Sequence, residues 1–217
     1  MLIKKCFLPL VSLCLNLYIL SSIKEIYESL NDAFYSNEFI TELSSPKSFQ
    51  GRNLTGTVRL IRDLAADIHA NIQQWNNLHI QGITYLKNIT QEKHDKNYSK
   101  ILQDLCDKLE NICDNLDGIV RNLDQIKNQL KTVSTLEKTT DKLFITWSTT
   151  RFGEVAETIH EAYHMEVKLK RKLLENVAHN YTESWKMLHL AAWVYEPFIT
   201  ENLMILLDSL LIETGHR

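Results

Sequence analysis

Glycine and proline are both scarce, at 6 and 3 of 217 residues. Turn-rich β architectures depend on both, so the shortage excludes a sandwich or barrel and leaves helix as the default. Cysteine is sparse as well, with four residues. Cys6 and Cys14 lie in an N-terminal apolar stretch, and Cys106 and Cys113 share one helical stretch. At about 1.5 Å of rise per residue the second pair stands roughly 10 Å apart, beyond the reach of an intramolecular disulfide. No disulfide framework is visible, which favours a reducing compartment. An excess of one charge is also missing: the net charge is −3. A general nucleic-acid binder needs a basic surplus to displace counterions, so that class is disfavoured. No run is long enough for a membrane span, which wants roughly 20 apolar residues.

What is abundant is Leu, Lys, Glu, Asn and Ile, the usage of long helices. Val58, Ile61, Ala65, Ile68, Ile72, Trp75, His79, Gly82, Leu86 and Ile89 alternate spacings of three and four. That is a heptad seam with weak spots at His79 and Gly82. After a polar turn over 91–97, Tyr98, Leu102, Leu105, Leu109, Ile112, Leu116, Ile119, Leu123, Ile126, Leu130 and Val133 repeat the spacing. The short turn predicts an antiparallel hairpin over 57–135. Leu60, Leu64, Leu78 and Ile101 widen the stripe, so further helices must cover it, from this chain or a partner.

Residues 134–151 break the pattern. Ser148 or Thr149 is expected to cap a helix from about Arg151 to Ala178, with Phe152, Val155, Ile159, Ala162, Leu169, Leu173 and Val177 on one face. Thr182 is expected to cap a shorter helix through Val194, which Pro197 ends. Thr200 is expected to cap the last, Glu201 to Glu213, with Leu203, Leu206, Leu207, Leu210 and Leu211 inward and Gly215 at its stop. The fold class is therefore all-α: a long antiparallel coiled-coil hairpin plus C-terminal helices, forming an elongated bundle. The divisions are an N-terminal extension and linker over 1–52, the hairpin over 53–140 and the C-terminal helical region over 141–217.

The N-terminus sets a problem of compartment. Met1–Ser22 has the basic start, apolar centre and small residues of a secretory signal. Sequons begin at Asn53, Asn88, Asn97 and Asn180, but a chain this rich in Asn is expected to hold about two by chance. A secreted helical factor is one reading of these features.

His160-Glu161-Ala162-Tyr163-His164 matches the H-E-x-x-H zinc motif, in which two His one turn apart hold the metal and the Glu is the general base. Charged Glu157 and Glu166 flank it, and no strand is expected to hold an extended substrate. Glu175, His179 and Glu183 are third-ligand candidates without a distinctive spacing. Solvated surface histidines are the bland alternative. The basic run Lys168, Lys170, Arg171, Lys172 reads as a solvated helix face, against an import signal or acidic-partner contact. His69, His79 and His189 sit singly and read as packing or surface residues. There is no phosphate-binding loop, nucleophile elbow or CxxC, so no cofactor and no catalytic residue is expected. Trp75, Trp185 and Trp193 read as core, whereas Trp147 sits in a loop and is the best aromatic anchor.

Three segments carry a resemblance: Phe144-Ile145-Thr146-Trp147-Ser148-Thr149-Thr150-Arg151-Phe152-Gly153-Glu154-Val155, then Leu169-Lys170-Arg171-Lys172 with Ala178-His179, then Trp193, Glu196-Pro197-Phe198 and the ending Leu210 to Arg217. These resemble the cyclin-dependent kinase 2-interacting protein family, and Ile61 to Asp67 followed by Trp75 looks like that family's N-terminal helix. The likeness covers about 54–217. The run from Trp147 to Phe152 and the Glu-Thr-Gly-His ending are its specific parts. Residues 1–50 have no counterpart, and their signal-like start is read as a misassigned start codon.

The resemblance implies a nuclear and cytoplasmic adaptor rather than an enzyme. Its implied partners are a cyclin-dependent kinase, a replication-initiation kinase, a checkpoint kinase complex and an AAA-type ATPase assembly with a second coiled-coil subunit. That assembly acts in replisome turnover and large ribosomal subunit maturation. No direct nucleic-acid or membrane contact is implied. The expected partner-binding residues are Trp147, Thr149, Thr150, Arg151, Phe152, Trp193 and Pro197. The expected coiled-coil seam is Ile61, Ile68, Ile72, Trp75, Leu102, Leu109, Leu116, Leu123 and Leu130. The competing function is a zinc metallohydrolase on the His160–His164 helix.

Overall fold

The structure, a computed structural model, describes residues 56–92, 99–136, 144–177, 179 and 182–217. The extension over 1–52, the polar turn after Glu92 and the break after Leu136 lie largely outside them. Five helices and no strands are present among the described residues: α1 Thr57–Glu92, α2 Lys100–Leu136, α3 Thr149–Val177, α4 Glu183–Tyr195 and α5 Glu201–Glu213. The chain is all-α, as its composition and periodicity indicate.

The two heptad seams become the two longest helices, and every expected seam residue from Ile61 to Leu130 is buried. Each Leu or Ile taken from water contributes about 1.5–3 kcal/mol, so the seams are the main stabilising element. Ser99 starts α2 by accepting the Leu102 backbone N–H on its hydroxyl at 3.1 Å. The expected widening of the stripe holds for Leu64 and partly for Leu78. Leu60 and Ile101 instead face solvent, because the covering helices lie elsewhere.

The cover comes from this chain. α2 lies between α1 and α3, while α4 and α5 both pack on α1 and α3. Cross-links fix the direction of each helix. Lys131 pairs with Glu157 and Arg171 with Asp114 and Asp117, so α3 climbs as α2 descends. Trp193 sits on Gly82 and His216 on the Arg62 carbonyl, so α4 and α5 together descend along α1. The architecture is an up-down-up-down bundle whose fourth member is broken between Tyr195 and Glu201. One core of buried side chains runs through all five helices.

The helix ends show where local expectation met its limits. Thr200 caps α5 as expected, its hydroxyl accepting from Leu203 N–H at 3.4 Å. Gly215, at φ +72°, supplies the left-handed stop that any Cβ would strain. Thr182 precedes α4 but makes no side-chain cap. Nor does Thr149 cap α3: its hydroxyl is buried without a hydrogen-bond partner, and Arg151 N–H donates to the Ser148 carbonyl instead. Leu206, expected inward, is only half buried. No helix among the described residues is long and apolar enough to cross a membrane.

Candidate functional site

The break in the fourth helix sits over a buried cluster of charges. Pro197 removes a backbone donor and disfavours helix at the residue before it. Glu196 accordingly turns left-handed, with φ 45° and ψ 65°, the only non-glycine residue at positive φ among the described residues. That turn drives its carboxylate into the bundle. There Glu196 Oε1 accepts from the Trp75 indole N–H at 2.8 Å and lies 3.1 Å from the Lys170 ammonium. Lys170 is fully buried and donates to the Trp193 carbonyl at 3.2 Å. The Trp193 ring centroid is 4.5 Å from the ammonium and the Trp75 centroid 5.9 Å, placing the cation between two π faces. Glu166, also fully buried, has Oε1 3.6 Å from Lys170, while its Oε2 accepts the Phe198 N–H at 3.2 Å. A donor freed by the helix break is thus satisfied from α3.

His79 completes the cluster. Its Nδ1 lies 3.1 Å from the Lys170 ammonium and 3.2 Å from Glu196 Oε1, so the neutral ring accepts from the first or donates to the second according to tautomer. Burial, then the positive charge of Lys170, lowers its pKa to about 3. Burial raises the Glu166 carboxyl pKa, against the opposing pull of Lys170. Both shifts reduce the charge held in the core. Tyr163 closes one side, edge-on to Trp75 with centroids 4.9 Å apart.

None of His79, Glu166, Lys170 or Glu196 was singled out as a site residue by the sequence. The basic run was read as a solvated face, and the structure corrects that. Lys170 is buried, and Arg171 is held by Asp114 and Asp117 on α2. Lys172, paired with Glu175 on the surface, fits the expectation. His79 is likewise no isolated histidine.

The second region is the end of the bundle where α3 begins. The expected partner-binding residues divide by burial. Thr149, Phe152 and Trp193 are within the core, their side chains turned from solvent. Trp147 is half buried, and Thr150, Arg151 and Pro197 are exposed. The Trp147 ring packs on Phe152 with centroids 5.2 Å apart, and the Arg151 guanidinium lies 5.7 Å from the Trp147 centroid. The amide groups leading into α3 are already engaged. Glu213, at the end of α5, accepts from Trp147 N–H at 2.7 Å, from the Thr146 hydroxyl at 2.9 Å and from Thr146 N–H. Burial opposes ionisation of Glu213, but these bonds outweigh it and lower its pKa. The acidic group suited to this end is therefore supplied by the chain itself.

The zinc motif does not assemble. The His160 and His164 rings stack, with centroids 5.5 Å apart, and His160 Nε2 is 3.6 Å from Asp124 Oδ1. Among the described residues no group of three His, Cys, Asp or Glu is placed to hold a metal ion. Glu175 and Glu183, two of the third-ligand candidates, pair with Lys172 and Lys186. A catalytic zinc needs three protein ligands, and two stacked imidazoles do not supply them.

The chain has relatives among known proteins. It is 28% identical over 195 residues to a Bos taurus protein named cyclin-dependent kinase 2-interacting protein, spanning 76% of this chain and 92% of that one. A Homo sapiens protein of the same name is 29% identical over the same shares. A Xenopus laevis protein of that name is 40% identical over 74 residues, 34% of this chain and 36% of that one. No family model matches the chain. The relatives' names describe an interacting protein rather than an enzyme, which agrees with an adaptor. By descent the chain is a homologue of the cyclin-dependent kinase 2-interacting proteins.

Proposed function

We propose that this chain is a non-enzymatic adaptor that binds a cyclin-dependent kinase through the end of the bundle at Trp147, Thr150 and Arg151. The observation that carries the reading is the bond network of Glu213. The two segments most like the kinase-interacting family, Trp147–Phe152 and the Glu-Thr-Gly-His ending, lie far apart in sequence, and Glu213 joins them into one surface. The names of the relatives support the kinase as partner. Heptad seams alone are generic, whereas a Trp and an Arg held rigidly at a helix start are the residue types that anchor selective interfaces.

The wider role follows from the same family likeness. It links this kinase contact to a replication-initiation kinase and a checkpoint kinase complex. It also makes the chain a coiled-coil subunit, beside a second one, of an AAA-type ATPase assembly in replisome turnover and large ribosomal subunit maturation. Nuclear and cytoplasmic residence belongs to this reading.

The test is direct binding of the purified full chain to cyclin-dependent kinase 2 with and without its cyclin. Saturable binding, weakened about tenfold or more by Arg151→Glu, is the expected result. Absence of binding to either form removes the kinase from the proposal.

A further inference from the structure

We propose that the outer face of α4 and α5 docks a basic amphipathic helix of a partner protein, on a surface separate from the Trp147 end. Both helices bury one face in the bundle: Lys186, His189 and Trp193 on α4, and Leu203, Leu207, Leu210 and Leu211 on α5. A surface helix is normally polar on the other side. α2 obeys this, with Asp104, Asp107, Glu110, Asn111 and Asn115 outward. α4 and α5 do not. On α5, Met204, Ile205 and Ile212 face solvent, Ile205 at 58% exposure. At the break Tyr195 is 65% exposed and Phe198 is exposed beside it. Along α4, Leu188 and Ala191 are half exposed and continue to Tyr195 at spacings of three and four. On α5, Ile205 and Ile212 stand one heptad apart. Apolar residues at this period, left facing water, are what a helix-in-groove or helix-on-helix partner uses.

Charge identifies the occupant. Glu201 and Asp208 flank the α5 stripe, and Glu183 lies at the start of α4. The lysine and arginine of 182–217 are Lys186 and Arg217. The first is buried with its ammonium 2.9 Å from Glu183, and the second is bound to Asp208. The face therefore offers apolar side chains rimmed by acids. Its complement is a helix with a Leu or Ile stripe flanked by Lys or Arg. A second copy of this chain is a poor fit, because the same face brings only the same acids to the contact.

The probe is a synthetic helical peptide with leucine along one seam and lysine on its flanks, titrated into the full chain by fluorescence anisotropy. The control peptide carries glutamate in place of lysine. The lysine peptide is expected to bind at least about tenfold tighter than the control. Ile205→Ser combined with Ile212→Ser is expected to weaken it by about the same factor while leaving the melting temperature unchanged, since both side chains are exposed. Glu201→Lys combined with Asp208→Lys is expected to reverse the preference between peptides. Equal binding of the two peptides, or no loss in the isoleucine variant, overturns the proposal. So does a concentration-dependent dimer abolished by the isoleucine changes, which makes a second copy the occupant. Binding seen only after residues 1–50 are removed also overturns it, by assigning the face to the chain's own N-terminal segment. Kinase recovery in the isoleucine variant is expected to persist, and its loss would overturn the separateness of the two surfaces.

Discussion

Trp193 occupies the space that a side chain on Gly82 would need. A Cβ built on Gly82 falls 2.3 Å from Trp193 Cζ2 and 2.8 Å from Cε2. The indole N–H reaches back to the His79 carbonyl at 3.3 Å, so the ring cannot slide away without losing that bond. The glycine that weakens the α1 seam is the seat on which the fourth helix docks.

Gly82→Ala is therefore expected to destabilise the bundle. Alanine gains about 1 kcal/mol of helix propensity, but overpacking a rigid ring costs about 1–3 kcal/mol or more. Gly118→Ala is the control. The nearest atom to its new Cβ is the flexible Arg121 guanidinium at 3.7 Å, so the propensity gain of about 0.5–1 kcal/mol should appear in full. Urea midpoints of opposite sign for the two variants check this.

Lys170 is the next target. Replacing it with Ala leaves Glu196 and Glu166 in the core without their cation. Removing one partner of a buried ionic group costs about 3–5 kcal/mol. Adding Glu166→Gln to Lys170→Ala should recover part of that loss, because one uncompensated carboxylate is gone. Thermal denaturation of both variants reads the difference, and a double variant no more stable than the single one contradicts the coupling.

How much of this was legible in the sequence is clearest on α3. Its buried face runs Phe152, Val155, Ile159, Tyr163, Glu166, Lys170, Leu173 and Val177, an unbroken three-four register. The spacing was present, but Ala162 and Leu169 were read in its place because charged residues are assigned outward by default. What makes Glu166 and Lys170 tolerable inside is Glu196 from the helix break and His79 from α1, neighbours that no pattern within one helix reveals. The same limit applies at the other end. The Thr-Trp run and the Glu-Thr-Gly-His ending were both recognised as distinctive, but only the fold shows one binding the other. Helix number, the hairpin and the Pro197 break were readable because they depend on local chemistry. The outer apolar face of α4 and α5 was not read, since helices apolar on most sides simply read as core.

The pH dependence has a sign that His79 sets. Its folded pKa of about 3 lies below the ordinary value of 6.5, so the unfolded chain takes up the proton first. Its contribution to stability is complete above pH 6.5 and declines as pH falls towards 3. Between pH 6.5 and 5 the decline amounts to about 1.5 kcal/mol. His79→Gln keeps a polar partner for Lys170 but removes the titration. Its stability relative to the native chain should rise by about that amount over the same interval. Glu166 acts in the opposite direction: its raised pKa means stability falls as pH rises above 4.5 through the folded value. Glu166→Gln should therefore gain on the native chain as pH climbs out of that window.

Glu213→Ala tests the clamp. The change removes charge-assisted bonds to Thr146 and Trp147, with a cost of about 2–4 kcal/mol once the stranded amides are counted. Because the Glu213 pKa is lowered, this contribution is present above pH 4.5 and fades as pH drops below it. Glu201→Ala, at an exposed position on the same helix, should stay within about 0.5 kcal/mol of the native chain.

Trp147 decides what the clamped end is for. Its ring rests on Phe152, which is fully buried, but its own surface is only half covered. A core plug and a partner anchor then differ in degree and in readout. Phe152→Ala should cost about 3–5 kcal/mol, the loss expected for a buried large aromatic. Trp147→Ala should cost clearly less in stability, about 1–2 kcal/mol, because water already reaches part of the ring. Arg151→Glu should leave stability within about 0.5 kcal/mol, since Arg151 is exposed and its bond to Glu154 lies in solvent. If this end is the kinase contact, both Trp147→Ala and Arg151→Glu weaken kinase binding by about 2 kcal/mol or more, the scale of a hot spot. The measurement is calorimetric binding paired with a melting curve for each variant. Trp147→Ala losing 3 kcal/mol or more of stability, about the Phe152 cost, with kinase affinity unchanged in the folded fraction, would make Trp147 a plug and leave the kinase contact to be sought elsewhere.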